Sequence, residues 1–245
     1  MTTRASKPDG DQTSATPPDP RPLYERAAGQ MAALFASVRP AQLADPTPCP
    51  DFSVGALLSH VVGGTHRIAQ VGEGGGVGEV DPEAEVDSGV SGVADDRWPA
   101  AFAEARERFT AAWADDAKLD SPVTVPWGTM PGRFALAGCV MEVVTHSWDL
   151  AQALGRRDEL DEELAQFALG VARQAAPAEP RGGEIPFGPP VPVPEGADAY
   201  DELAAWLGRT WNPADPADPA DPVGPGGSAR AERAGGSRSA DGSRD

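Results

Sequence analysis

The stretch FALAGCVMEVVTHSWDLAQAL, residues 134–154, decides the fold. Apolar side chains lie nearly all round it (Ala135, Leu136, Val140, Met141, Val143, Val144, Trp148 and Leu150), which predicts a helix enclosed by other helices. Gly155 supplies a C-cap, with Arg156 and Arg157 beyond it. The same stretch nevertheless carries Glu142, His146 and Asp149, spaced by four and then three residues, so all three share one stripe headed by Cys139. Polar groups on a buried helix require partners.

Working outward, Leu23 to Val38 repeats apolar residues at helical spacing until Pro40 ends the pattern. Ser53 is an N-cap for a second helix running to Val71, with Leu57, Leu58, Val61, Val62 and Ile68 on one broad side; Gly72 to Gly76 stop it. Residues 72–95 are Gly-rich, acidic and aperiodic, a connection long enough to cross a bundle end to end and leave its flanking helices parallel. A third helix spans Trp98 to Ala114. SPVTVPWGTMPG (121–132) reads as an extended excursion with two turn signals. Glu162 to Gln174 is a further helix, EIPFGPPVPVPEGAD (184–198) a proline-rich strap, and Asp201 to Leu207 a last short helix. Strong helices without a convincing strand ladder predict an all-α four-helix bundle, up-down-down-up, with extra short C-terminal helices and the strap laid over it.

The chain has 245 residues, 40% of them hydrophobic, with 28 glycines and 26 prolines. Residues 1–20 and 212–245 contain too few large apolar side chains to offset ordering entropy, so both are expected to be disordered tails. Residues 21–211 then form one domain, ample for a packed core. A net charge of −18 argues against nucleic acid, which needs clustered Lys and Arg. No apolar run reaches the length of a bilayer span and no apolar signal stretch opens the chain, so the expected location is the cytoplasm. Two cysteines, Cys49 and Cys139, are too few for a disulfide scaffold.

Only three histidines exist to partner the polar stripe: His60, His66 and His146. His60 sits within the apolar run ALLSHVV, and Gly63 and Gly64 one turn on leave room for a helix, a metal or a ligand to approach. His66 faces elsewhere. Taken alone, Glu142 and His146 fit a helix salt bridge as well as a metal site. With His60 facing them they make a three-ligand His2Glu set with an open position, the catalytic rather than the structural type. Zn(II) suits these donors best, and Ni(II), Mn(II) or Fe(II) also fit.

Around the triad, Asp149 is placed either to orient an imidazole or to pair with an arginine. Arg67 shares the His60 face and is a candidate for a substrate carboxylate. Cys139 reads as a small buried residue, and Cys49 has no second cysteine at metal spacing. Trp127 and Phe187, in the two extended segments, either cap the mouth of the site or pack into the core.

Four segments in order resemble one family. PTPCPDFSVGALLSHVVGG (46–64), VPWGTMPG (125–132), MEVVTHSWDLAQALG (141–155) and FGPPVPVP (187–194) are similar to the mycothiol-dependent maleylpyruvate isomerase-like metal-binding domains of the DinB superfamily, mostly actinobacterial helical bundles. The resemblance implies a DinB-like bundle with His60, Glu142 and His146 as metal ligands. It also implies a low-molecular-weight thiol cosubstrate, such as mycothiol, held as thiolate against a small electrophilic substrate. The isomerase that names the family has a second, C-terminal domain, whereas here that region reads as a tail. The expectation is therefore a metal- and thiol-dependent transferase or isomerase-like enzyme. The alternative is a non-catalytic metal-stabilised bundle that binds a small molecule or a protein partner.

Overall fold

The computed structural model describes residues 18–75, 89–176, 178, 187–193 and 195–210. The expected tails, but for residues 18–20, and the middle of the long connection lie outside the described residues. In chain order the elements are α1 (Arg21–Ser37), α2 (Val54–Gly72), α3 (Trp98–Ala112), α4 (Ala117–Asp120), β1 (Pro122–Val125), β2 (Gly128–Pro131), α5 (Gly132–Leu154), α6 (Glu162–Ala175) and α7 (Ala199–Trp206), with 3-10 turns at Pro40–Gln42 and Arg157–Glu159.

Each long helix starts and stops for a local reason. Pro22 stands in the first turn of α1, where its missing N–H costs nothing. The Ser53 hydroxyl accepts from Ala56 N at 3.3 Å, capping α2 as its sequence predicts. Gly155 ends α5 in the left-handed region at φ 67°, and Arg156 N returns to Ala151 O at 2.9 Å.

Side-chain pairs fix the helix directions. Tyr24 stacks on Phe109 and Phe35 on Phe102, so α1 and α3 run antiparallel. Trp113, just past α3, donates its indole N–H to Ile68 O, and Arg108 pairs with Glu73 at 2.7 Å, so α2 and α3 end together and run parallel, as the long connection predicts. Gly132 lies against Trp113, while His60 meets Glu142 and His146, so α5 runs antiparallel to α2.

α5 is the enclosed helix: every residue from Val143 to Ala151 is buried. Its hydroxyls are satisfied by folding back on their own helix, Thr145 to Met141 O and Ser147 to Val143 O, both at 2.8 Å. α6 packs on α5, and α7 docks on α6, where the Trp206 indole N–H reaches Ala172 O and Ala176 O. Residues 187–193 carry no helix, and Val191 N donates to Ala205 O at 2.9 Å, so this stretch of the strap is held against α7.

One expectation needs correction. The excursion at 121–132 is extended but pairs with itself: β1 and β2 form an antiparallel hairpin, Val123 opposite Met130, with the hydroxyls of Thr124 and Thr129 bonded at 2.9 Å. Pro126 and Trp127 form the two-residue turn and Gly128 takes φ 136°, so a short ladder does exist in this chain. At Gly64 the room read from the sequence is present, since a Cβ there would meet nothing within 4 Å. Close approach occurs around Trp113. A Cβ at Gly72 would lie 2.7 Å from its Nε1, and one at Gly132 would clash with the Lys118 carbonyl.

Gly132→Ala is therefore expected to destabilise the fold by about 1–3 kcal/mol through overpacking. Gly64→Ala, into open space on a helix, is expected to stabilise it by about 0.4–1 kcal/mol. Denaturant titration of the two variants checks the difference; equal stabilities would contradict this account of the α2–α5 junction.

Candidate metal centre

α2 carries His60 and α5 carries Glu142 and His146 one turn apart, and antiparallel packing brings them together. Glu142 Oε1 lies 3.1 Å from His60 Nε2 and 3.1 Å from His146 Nε2. One donor atom from each residue falls within 4.8 Å of the others. Donors bound to one ion at about 2.0–2.2 Å stand roughly 3–3.6 Å apart, so these three side chains fit a shared divalent cation. Exposure is uneven: the side chains of His146, His60 and Glu142 are 5%, 20% and 40% accessible. The cluster is therefore walled on the His146 side and more open along the Glu142 side chain.

Two further residues build the wall. Phe52, in the loop ahead of α2, lies 4.7 Å from the His60 ring and 6.0 Å, edge-on, from the His146 ring. On the inner side, His146 Nδ1 is 2.9 Å from Asp149 Oδ2, and Asp149 is fully buried. A carboxylate on Nδ1 fixes the ring so that Nε2 faces the other donors. Asp149 in turn receives Arg209 Nε at 3.4 Å and Nη2 at 3.3 Å, so it both orients the imidazole and pairs with an arginine. Arg209 Nη2 also donates to Cys49 Sγ at 3.5 Å.

The electrostatics follow this order. Burial works against ionisation of Glu142, but the two imidazoles outweigh it and hold the carboxyl well below its usual range. Burial likewise works against His146 as a cation, yet Glu142 and Asp149 together raise it to about 9. For Asp149, Arg209 and His146 overcome burial and keep the group ionised. Cys139 is buried and its thiol is pushed up, chiefly by desolvation. Cys49 is pushed up to about 11 for the same reason, Arg209 acting in the opposite direction.

The other sequence candidates fall at different places. Arg67 is half-buried two turns along α2, about 10 Å from His60 along the axis. His66 meets Arg108 at 3.5 Å. Trp127 is 51% exposed in the hairpin turn and lies over Gly138, the residue one turn before Glu142, where a Cβ would sit 3.2 Å from its ring. Phe187 is partly buried against the core. Sequence reasoning missed Phe52 and Arg209. Phe52 directly precedes the N-cap, a position that ordinarily signals a hydrophobic staple, and Arg209 lies 60 residues from its carboxylate partner with no local signal.

Fold and cluster together define a mostly helical protein with a His2Glu constellation open on one side. Residues 24–151 match the mycothiol maleylpyruvate isomerase N-terminal domain, and the chain belongs to that family. It is 35% identical over 192 residues to the uncharacterized proteins MT0763 and Rv0738 of two Mycobacterium tuberculosis strains, covering 78% of this chain and 98% of theirs. The crystal structure of a histidine-to-alanine mutant of the mycothiol-dependent maleylpyruvate isomerase shares the fold, with a TM-score of 0.50 at 17% identity. That match covers 62% of this chain and 65% of the solved one. No helix among the described residues is long and apolar enough to cross a membrane.

In the metal-free protein, an NMR titration of His146 is expected to show a midpoint near 9, lowered in Glu142→Gln because the largest attraction on the cation is gone. The stabilisation this group gives is then complete below its ordinary pKa of about 6.5 and fades as pH rises through about 9. A wild-type midpoint at the ordinary value would contradict the coupling.

Proposed function

We propose that this protein binds a divalent metal through His60, Glu142 and His146 and uses it, with a low-molecular-weight thiol such as mycothiol, in a transferase or isomerase-like reaction on a small electrophile. The observation that supports this most is the convergence of two imidazole Nε2 atoms on one carboxylate oxygen of Glu142, whose side chain is 40% accessible. The donor chemistry favours Zn(II), with Ni(II), Mn(II) or Fe(II) compatible. The thiol is suggested by the family's name and by that of the solved relative. α1, α2, α3 and α5 are read as a DinB-like four-helix bundle, up-down-down-up, within one domain over 21–211, a reading supported by the antiparallel and parallel pairs described above. The cytoplasm, where such thiols are kept reduced, is the expected location.

A bound cation would supply Lewis acidity, keeping a coordinated thiol as thiolate at neutral pH. This chain's residues do the rest. Asp149 holds the His146 ring in the tautomer that presents Nε2 as a donor. Phe52 covers the His60 and His146 rings and excludes water from that side. The open edge beside Glu142 admits ligands past Trp127, whose exposed ring offers an apolar surface to the carbon skeleton of a substrate. Arg67, two turns further along α2, is the candidate to meet a carboxylate of the substrate or the thiol.

Protein purified without a polyhistidine tag is expected to contain one equivalent of metal per chain, and His60→Ala to lose it. With mycothiol and a panel of electrophiles, mass spectrometry is expected to find a thiol adduct that forms only with the metal-loaded protein. Metal retained by His60→Ala would contradict the ligand assignment. Full metal loading without any adduct, combined with unfolding on chelation, would favour the non-catalytic metal-stabilised bundle.

A further inference from the structure

Arg209 follows α7 and lies well past the end of the family match at residue 151, yet its side chain is only 8% accessible. It reaches two other parts of the chain at once. Its Nε and Nη2 donate to the two oxygens of Asp149 on α5, at 3.4 and 3.3 Å, and Nη2 also donates to Cys49 Sγ at 3.5 Å in the loop ahead of α2. Asp149 meets His146 Nδ1, and the Cys49 loop carries Phe52, which covers the His60 and His146 rings. The arginine is held in place by a chain reversal just after α7. Gly208 takes φ 77°, Arg209 N donates to Ala204 O at 2.9 Å, and a Cβ on Gly208 would lie 2.7 Å from Gly188 Cα, so the turn closes against the strap.

We infer that Arg209 is a positioning residue of the metal centre: the segment after α7 inserts it between α5 and the Cys49–Phe52 loop, where it holds Asp149 in the place that orients His146. This rests on the metal reading given above. Asp149 is fully buried and cannot draw on solvent. A buried carboxylate with an imidazole on one side alone would be free to turn toward other donors. The two-atom fork of a guanidinium removes that freedom, which a single ammonium point charge does less well. In this protein Arg209 is thus part of the site, although it lies past residue 151, where the family match ends.

The test compares Arg209→Met, Arg209→Lys, Asp149→Asn and the double variant Asp149→Asn/Arg209→Met, reading Zn(II) affinity by competition with a chelator at fixed pH. Arg209→Met is expected to weaken binding about 10- to 100-fold, as does loss of other outer-shell partners, and Arg209→Lys to recover part of that loss. Asp149→Asn is expected to weaken binding comparably and the double variant no further, because the arginine acts through the aspartate. Trp206→Phe, which loosens α7 on α6 without touching Asp149, is expected to lower thermal stability but leave affinity within about twofold of wild type. In the metal-free protein, a slowly exchanging His146 Nδ1–H signal is expected in wild type and not in Arg209→Met or Asp149→Asn.

Wild-type affinity and an unchanged Nδ1–H signal in a folded Arg209→Met would overturn the inference. So would a double variant markedly worse than Asp149→Asn, or an equal affinity loss in Trp206→Phe. If Arg209→Met does not fold, Arg209→Lys decides, because an Nδ1–H signal and affinity identical to wild type would show that the fork is not needed. If wild type binds no stoichiometric metal, the metal reading fails, and the Nδ1–H signal alone decides whether Arg209 holds the Asp149–His146 pair.

Discussion

One oxygen of Glu142 stands 3.1 Å from a nitrogen of each of two imidazoles, and the rest of the structure is arranged to make that contact tolerable. An ionised group on a largely apolar helix is costly unless its partners are fixed in advance. Partners are supplied in alternation: His60, Glu142, His146, Asp149, Arg209. Every basic group in this row has an acidic neighbour. The chain ends at a guanidinium, which keeps its charge when buried better than an ammonium would. Only Glu142, nearest the opening, retains substantial access to solvent.

The helical frame exists to hold the two sides of this row in register. Trp113 acts as the spacer at the far end from the cluster, wedged between Gly72 of α2 and Gly132 of α5, with its indole N–H tied to Ile68 O. From there α2 and α5 run antiparallel, and His60 arrives opposite Glu142 and His146. Because α5 is buried along Val143 to Ala151, it has few ways to shift without opening the core, so the geometry of the site is inherited from packing rather than from loops.

Much of this was legible in the sequence. Helical periodicity, the Ser53 cap, the left-handed Gly155 and the spacing of Glu142 and His146 are local signals, and the long helices appear within a few residues of where these signals place them. The triad needed one non-local step, which the scarcity of histidines made short. What escaped is non-local or weakly coded. A hairpin of two four-residue strands has too little alternation to stand out from an extended excursion. Arg209 lies among Gly, Thr and a proline-rich tail, where nothing announces a buried cation, and its partnership spans 60 residues.

The central claim is that His60, Glu142 and His146 hold one divalent ion with a position left for a thiol. X-ray absorption at the metal edge of the loaded protein tests it most directly. The account predicts two imidazole nitrogens and carboxylate oxygen at about 2.0–2.2 Å with no sulfur, and one sulfur at about 2.3 Å after a low-molecular-weight thiol is added. Sulfur coordination before any thiol is added, or a first shell without imidazole, would contradict it.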